Sequence, residues 1–569
     1  MATTESPAKT PEPVIIVGAG LAGLVAAFEL TQRNVPVVLL DQEGEQNLGG
    51  QAFWSLGGIF CVNSAEQRRM GIRDSRELGR SDWFGSARFD REQDHWPRAW
   101  AEAFVDFAAD EMESYVKARG IRFLPNVGWA ERGDGRADGH GNSVPRFHIT
   151  WGAGPEVVRV FAEPAREAEK NGLVQFRFRH MVDELLVDKN GRATGVRGRV
   201  LEQDPVKRGV KSSRNVIDKF ELHGSAIVIS AGGIGGNVEA VKKSWPVDRL
   251  GPKVPENFVI GVPAHVDGRM IDIAEEVGAS VINRDRMWHY TEGLQNWDPI
   301  WPSHGIRVLP APSSLWIDAK GKRLPPFLYP GSDTLATLKY ICSTGYDYTW
   351  FILNQTIIAR EFALSGSEQN PDLTNKSLWQ LLVNRIFSSK GTIPVQNFVK
   401  HGKDFVVRET LPELVTGMNE LARSVGGPEL DYAGVREVVD ARDSQVDNSY
   451  CKDAQIMLIR NGRNYWPDSR SRVVAPHRLL DPKYGPLIAV RMNLLTRKTL
   501  GGLETNLQSN VMKADGTKFP GLYAAGEAAG FGGGGVHGYN SLEGTFLGGC
   551  VFSGRAAGRA IADELLDHN

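Results

Sequence analysis

Gly18, Gly20 and Gly23 stand in GxGxxG spacing directly after the apolar run "VIIV" (14–17). Glycine at those three places allows a tight strand-to-helix turn, close approach of backbone to a pyrophosphate, and close packing of the following helix on the sheet. That helix, "LAGLVAAFELTQR", would turn the free N–H groups of its first residues, Leu21 and Ala22, and the positive end of its dipole toward the phosphates. Asp41 closes the next apolar run, "VPVVLLD", with Gln42 after it. A carboxylate there can accept hydrogen bonds from the two hydroxyls of an adenosine ribose. A lone GxGxxG is a weak sign, but this one lies between a strand pattern and a helix pattern with the acid in place. The chemistry is dinucleotide binding.

These residues need an α/β fold whose first strands are buried on both faces, a Rossmann-like sheet. With 569 residues the chain exceeds what one hydrophobic core usually supports, so two domains are expected. An apolar content of 41% and a charged content of 24% are ordinary for a globular protein. A formal charge of −2 gives no support to nucleic acid or an anionic membrane as partner. No apolar run has the length of a membrane span. Cys61, Cys342, Cys451 and Cys550 form no CxxC pair, so neither zinc nor a disulfide framework is expected, and a reduced, cytoplasmic setting fits best. The polar start "MATTESPAKTPEP" reads as an unstructured lead-in without a signal sequence.

The GxGxxG motif does not choose between FAD and NAD. The segment "DQEGEQNLGGQAFWSLGGIF" (41–60) does: an acid, Gly49-Gly50, a polar and small stretch, then Gly57-Gly58. It resembles the fumarate reductase/succinate dehydrogenase flavoprotein superfamily. The resemblance implies that Gly49, Gly50, Gln51, Ala52, Ser55, Gly57 and Gly58 line the diphosphate, ribitol and isoalloxazine of FAD. Further segments match in order. "HMVDELLVDKNGRATGVRG" (180–198) resembles the family hairpin that meets the adenine near Val182. "SAIVISAGGIGGN" (225–237) resembles its strand-and-glycine motif, bringing in Ala231, Gly232, Gly233 and Asn237. "GTKFPGLYAAGEAAG" (516–530) resembles the strand that ends at the flavin, with Gly526 and Glu527 at the ribitol. Ser541, expected as an N-cap, with Leu542 and Thr545 would open a last helix aimed at flavin N1 and O2. Only one full fingerprint is present, so FAD and no NAD(P) domain is expected. Covalent attachment in this family uses a histidine after the first GG; "QAFWSL" has none, so the flavin is expected to be non-covalent.

The implied organisation is a discontinuous FAD-binding domain, residues 1–280 and 485–569, with an inserted α+β cap, 281–484. Residues 134–144, "DGRADGHGNSV", read as an exposed loop. The run "GFGGGGVHGYN" (530–540) would let bare backbone pass beside flavin and substrate.

The reaction follows from where this chain departs from the fumarate reductase pattern. The arginine acid is expected near Gly331 or Ser332, the carboxylate-binding arginine at Ser541, and the histidine before TxGG at Lys498. None is present, which argues against dicarboxylates, since carboxylates buried without arginine partners are costly. The cap start, "RMWHYTEGLQNWDPIWPSHGIRVLP" (286–310), is aromatic instead. It resembles the 3-ketosteroid dehydrogenase branch of the superfamily. That resemblance implies Tyr539 polarising a ketone and Tyr290 or His289 removing the neighbouring proton, with His537 as a rival in the Tyr539 loop. Trp288, Trp297 and Trp301 are candidates for the pocket wall, and Arg307 and Arg470 for binding a carboxylate. The expected function is FAD-dependent dehydrogenation at a CH–CH bond of a bulky cyclic ketone, with an unidentified electron acceptor or donor. The alternatives are an ene-reductase of an unsaturated acid or ketone, and a non-enzymatic flavin-binding scaffold.

Overall fold

The computed structural model describes residues 12–129 and 131–567; most of the polar lead-in, residues 1–11, lies outside the described residues. "VIIV" is the strand Val14–Val17, fully buried within a six-stranded sheet. Across that sheet run Asn510–Met512, Lys518–Ala524, Ile227–Ile229, Val14–Val17, Val37–Asp41 and Val174–Phe178. Every neighbouring pair is parallel except the first. Ile16 and Leu39 face one core, with the helices Leu21–Thr31 and Thr545–Asp567. Ile15, Val17 and Val38 face another, with Val182, Val196 and Phe220 of a three-stranded antiparallel sheet, His180–Val187, Ala193–Leu201 and Val216–His223. Burial on both sides is why the strands read as continuous apolar runs. The hairpin expected at 180–198 thus carries a third strand.

The second sheet has eight strands. Leu315–Asp318, Tyr348–Asn354, Leu487–Thr499, Met287–Gln295, Gly305–Leu309 and Ala363–Leu364 follow one another, and Val259–Ile260 and Phe405–Arg408 also pair with Leu487–Thr499. This sheet runs across both expected domain boundaries, 280/281 and 484/485. Val259–Ile260 precedes residue 281, and Leu487–Thr499 follows residue 484, yet both belong to the sheet of the inserted region. The long strand begins deep in that region and ends at the first one, so no linker marks the crossing.

The 134–144 segment is only partly exposed. Gly135 to Asp138 face solvent, whereas His140, Gly141 and Asn142 are buried, because the His140 ring reaches the Glu131 carboxylate at 3.0 Å. All four cysteines are free. Among the described residues no helix is long and apolar enough to cross a membrane, and no cluster of side chains is set to hold a metal ion.

Candidate active site

At the carboxyl ends of the parallel strands lies a cleft of about 1180 Å³, its open mouth included. Of the residues expected to touch the cofactor, Gly18, Gly20, Leu21, Ala22, Asp41, Gln42, Gly50, Gln51, Ala52, Ser55, Val182, Ala231, Gly232, Gly526 and Glu527 line it. Gly20 caps the helix Leu21–Thr31 without any side-chain hydrogen bond, and no acidic residue lies in the first turn, so its N–H groups face the cleft free. Gly23 acts behind them: a Cβ there would lie 2.2 Å from the Gly18 carbonyl oxygen.

The remaining expected contacts are placed elsewhere. A Cβ on Gly49 would meet Val158 at 2.3 Å, and one on Gly57 would meet Ala153 at 2.7 Å, so both serve helix packing. Gly233 abuts Thr499, and the Asn237 side chain caps the helix Val238–Lys243 through the Ala240 N–H. Gly58 belongs to a neighbouring cavity. Ser541 is not the N-cap of the last helix. That helix begins at Thr545, and the Ser541 hydroxyl instead lies 3.0 Å from the Thr545 hydroxyl and donates to the Leu542 carbonyl. Phe546, Leu547 and Cys550, rather than Ser541, Leu542 and Thr545, reach the cleft.

Two carboxylates set the cleft's electrostatics. Asp41 accepts the Ala19 and Glu43 N–H groups at 2.9 and 2.8 Å. Burial nonetheless pushes its carboxyl up to about 6, as expected of a site that awaits further donors such as ribose hydroxyls. Glu527 accepts the Thr499 N–H and the Gln51 side-chain N–H, both at 2.8 Å. Lys498, whose ammonium burial pulls below the usual lysine range, donates to Gln51 Oε1 at 2.8 Å and lies 3.6 Å from Glu527.

A smaller cavity of about 480 Å³, its opening included, shares Ser55, Arg497, Phe546 and Leu547 with the cleft. Its other walls include Phe147, Leu309, Tyr290, Arg307, Ser365 and Glu543. Tyr290 and Arg307 come from adjacent strands, with the guanidinium 3.8 Å from the centre of the phenol ring. Arg307 is ion-paired with Glu543. The Tyr290 hydroxyl has no hydrogen-bond partner among the described residues. Burial, helped by the Glu543 charge and opposed by Arg307, pushes that phenol up, so it holds its proton at neutral pH. Behind this pair lie Glu292, pushed up to about 7 by burial against the pull of Arg307, and the Glu131–His140 pair. Burial works against the Glu131 charge, but His140 and Arg307 together hold its carboxyl below the usual range.

Of the four catalytic candidates, only Tyr290 lines this cavity. His289 lies on the opposite side of its strand, between Trp245 and Phe258, and burial pushes its imidazole down to about 3. His537 is buried against Trp83, Phe531 and Phe546, with one ring nitrogen 2.9 Å from the Thr545 hydroxyl; burial likewise takes it down to about 3. Tyr539 points away from the cavity. Its hydroxyl donates to Asp90 at 2.9 Å, and its ring lies under the guanidinium of Arg286 at 4.1 Å.

The glycine run also serves packing rather than ligand. A Cβ on Gly533 would lie 2.7 Å from the backbone of Trp96 and Pro97, and one on Gly534 would lie 2.6 Å from Ile282. The run is wedged between the helix His95–Asp110 and the strand Val281–Ile282. None of the three tryptophans lines the cavity: Trp288 is buried beside His140, Trp301 stacks on His304, and Trp297 borders a separate groove. Arg470 is at the surface. Glu543 and Arg497 went unrecognised as site residues. Glu543 has a sequence signal, an acid inside the "NSLEGT" motif at the head of the last helix. Arg497 has none beyond adjoining Lys498.

A parallel sheet with a phosphate-binding turn, and a second sheet closing a cavity over its cleft, define a dinucleotide-dependent oxidoreductase of the flavoprotein class. The chain belongs to the FAD binding domain family, which matches residues 13–547, and FAD is its cofactor. The free N–H groups, the half-satisfied Asp41 and the buried Glu527 suit the diphosphate, ribose and ribitol of that group. The chain is 62% identical over 552 residues to a KsdD-like steroid dehydrogenase of Mycolicibacterium smegmatis, covering 97% of this chain and 99% of the relative. It is 60% identical over 551 residues to one of Mycobacterium tuberculosis, covering 97% and 96%. Its fold is similar to that of 3-ketosteroid Δ1-dehydrogenase from Sterolibacterium denitrificans, with a TM-score of 0.69 at 15% identity, covering 97% of this chain and 100% of that one.

Proposed function

We propose that this protein dehydrogenates a CH–CH bond beside the ketone of a bulky, 3-ketosteroid-like substrate. The observation that carries the reading is the cavity beside the cleft: apolar walls of Phe147, Leu309, Phe546 and Leu547 with one unpartnered hydroxyl, Tyr290. The whole-length similarity to KsdD-like steroid dehydrogenases supports it. Bound FAD supplies the two-electron acceptor. Tyr290 handles the proton at the α-carbon; burial keeps it protonated at rest, so it acts as a base only after passing its own proton on, and Glu543, which lines the same cavity with no hydrogen bond to Tyr290 at rest, is the carboxylate to receive it. The apolar wall excludes water from the exchange. The free cysteines suit a cytoplasmic setting, and a separate electron acceptor must reoxidise the flavin.

Anaerobic mixing with a saturated 3-ketosteroid tests this. Wild type should bleach its flavin, and Tyr290→Phe should do so roughly 100-fold or more slowly with FAD retained. Equal bleaching by the two rejects Tyr290. A wild type inert to steroids in both directions leaves only a flavin-binding scaffold. The resting proton on Tyr290 also favours a second reading, an ene-reductase with Tyr290 as the acid. Reoxidation of the reduced enzyme by an enone, without bleaching by the saturated ketone, would select it.

A further inference from the structure

Each other arginine or lysine that lines the two spaces already has a carboxylate. Arg307 is paired with Glu543, Arg269 with Asp183 at 2.6 Å, and Lys498 lies 3.6 Å from Glu527. Arg497 differs. Among the described residues its guanidinium has no ion pair, and its one side-chain hydrogen bond runs from Nη1 to the Ser365 hydroxyl at 3.3 Å. It borders both the cofactor cleft and the cap-side cavity, so it stands where the two meet. The residue is half-buried, and with one long hydrogen bond its guanidinium keeps most of its five donors for a ligand.

The geometry points to Arg497 as the receptor for the substrate's carbonyl oxygen, holding the negative charge which that oxygen gains. This rests on the dehydrogenase reading and specifies it: the ketone is directed to the end of the strand Leu487–Thr499, not to the loop bearing Tyr539. When the α-C–H bond breaks, its proton goes to the Tyr290–Glu543 side and its electron pair spreads onto the oxygen at Arg497. FAD held in the cleft would accept the β-hydrogen together with the electron pair of its C–H bond. The carbonyl re-forms as the C=C bond does. A permanently charged fork of donors suits an oxygen whose charge grows during the step. Ser365 positions the fork, since its hydroxyl also accepts the Arg307 backbone N–H at 3.2 Å.

The surroundings fit one oxygen rather than two. Tyr290, Arg307 and Glu543 line the cavity with Arg497, Lys498 adjoins it in the strand, and Glu368 and His304 are near enough to feel its charge. Arg307 is committed to Glu543, so among the described residues lining the cavity no second unpaired cation awaits a second carboxylate oxygen. Burial pushes the Glu368 carboxyl up to about 7, so it is no fixed partner for Arg497 at neutral pH.

The test uses FAD-loaded enzyme. 4-Chlorophenol reports an oxyanion receptor without turnover, because a phenolate held against oxidised flavin gives a long-wavelength charge-transfer band and a neutral phenol does not. Wild type should bind the phenolate. Arg497→Met should weaken that binding roughly 10- to 100-fold. It should slow bleaching by 4-androstene-3,17-dione roughly 100- to 1000-fold, with FAD content unchanged. Arg497→Lys should recover part of both, and Ser365→Ala should show the same losses at smaller size. If Arg497→Met fails to fold, Arg497→Lys and Ser365→Ala decide, and wild-type phenolate affinity in both overturns the assignment. Wild-type bleaching beside neutral-phenol binding also overturns it, while leaving the dehydrogenase reading intact. Displacement of the phenolate by succinate but not by the steroid, with no steroid bleaching, rejects the ketone and keeps Arg497 as a carboxylate receptor.

Discussion

The cofactor cleft and the cap-side cavity share a wall of Ser55, Arg497, Phe546 and Leu547, yet they treat buried polarity in opposite ways. In the cleft the carboxylates are anchored by donors of the chain itself: Asp41 takes two backbone N–H groups and has acceptor capacity left for ribose hydroxyls, and Glu527 takes one backbone and one side-chain N–H. Around the cavity, Glu292 Oε2, Glu131 Oε2 and Arg307 Nε are buried with no hydrogen-bond partner. A ligand that stays bound can be met by groups that the chain holds in one place and one charge state. A site that moves a proton must keep groups whose charge can change, and these cannot all be satisfied in one state.

The largest test attacks the cleft side. In Gly23→Val the new Cβ would sit 2.2 Å from the Gly18 carbonyl oxygen, a backbone atom that cannot yield. Flavin content, read from visible absorbance against protein, should fall to near zero. A fully yellow Gly23→Val protein would show that the turn is not what holds the cofactor. On the cavity side, Glu543→Gln strands the buried Arg307 charge. It should cost roughly 3–5 kcal/mol of stability in denaturant unfolding. The double variant Arg307→Met/Glu543→Met should regain much of that stability but no dehydrogenation. If single and double variants are equally unstable, charge pairing is not what the couple contributes.

The contrast also explains what could be read from the amino acids. The cleft is built from short contiguous motifs, so the glycines at 18–23, Asp41 and Glu527 were legible from spacing and flanking pattern. The cavity collects Tyr290, Arg307, Ser365, Arg497 and Glu543 from five separated stretches, and no local pattern announces that meeting. His289 and Tyr290 are adjacent in sequence, but strand alternation sends one to a packed core and the other to the cavity. The bulge between Trp288 and Tyr290 in the pairing with Leu487–Thr499 makes that parity hard to foresee. The glycines at 532–535 signal close approach correctly but do not say to what. Their neighbours are Trp96, Pro97, Trp100 and Ile282, not a ligand.

A smaller effect probes the unsettled charge directly. Burial takes the Glu292 carboxyl from an ordinary 4.5 to about 7, with Arg307 opposing. The native state therefore holds this proton more tightly than the unfolded chain. Stability falls as pH rises from about 4.5, and the full penalty is present above about 7. Glu292→Gln removes the penalty, by at most roughly 3 kcal/mol. Its melting temperature should match wild type near pH 5 and exceed it near pH 8. A difference that does not change with pH would show that Glu292 keeps its charge, and the two regions would then differ less than their geometry suggests.

The smallest expected effect comes from Tyr539, which the resemblance to ketosteroid dehydrogenases would place among the most sensitive positions. Its ring lies under Arg286 at 4.1 Å and Arg249 at 4.6 Å. Those arginines are held by Asp94 and Asp285, at 2.6 and 3.1 Å. Tyr539→Phe keeps that cation–π stack and removes only a hydrogen bond to the exposed Asp90. A hydrogen bond open to water contributes about 1 kcal/mol or less, so unfolding should shift by no more than that. Flavin bleaching by a ketosteroid should be unchanged, because the hydroxyl borders neither the cleft nor the cavity. Tyr539→Ala should cost more stability by unstacking the arginines, still without a selective loss of rate once the protein is folded. A hundredfold loss of rate in Tyr539→Phe, with FAD and stability intact, would mean that the loop turns inward when substrate binds. It would also move the carbonyl receptor from Arg497 back to the loop.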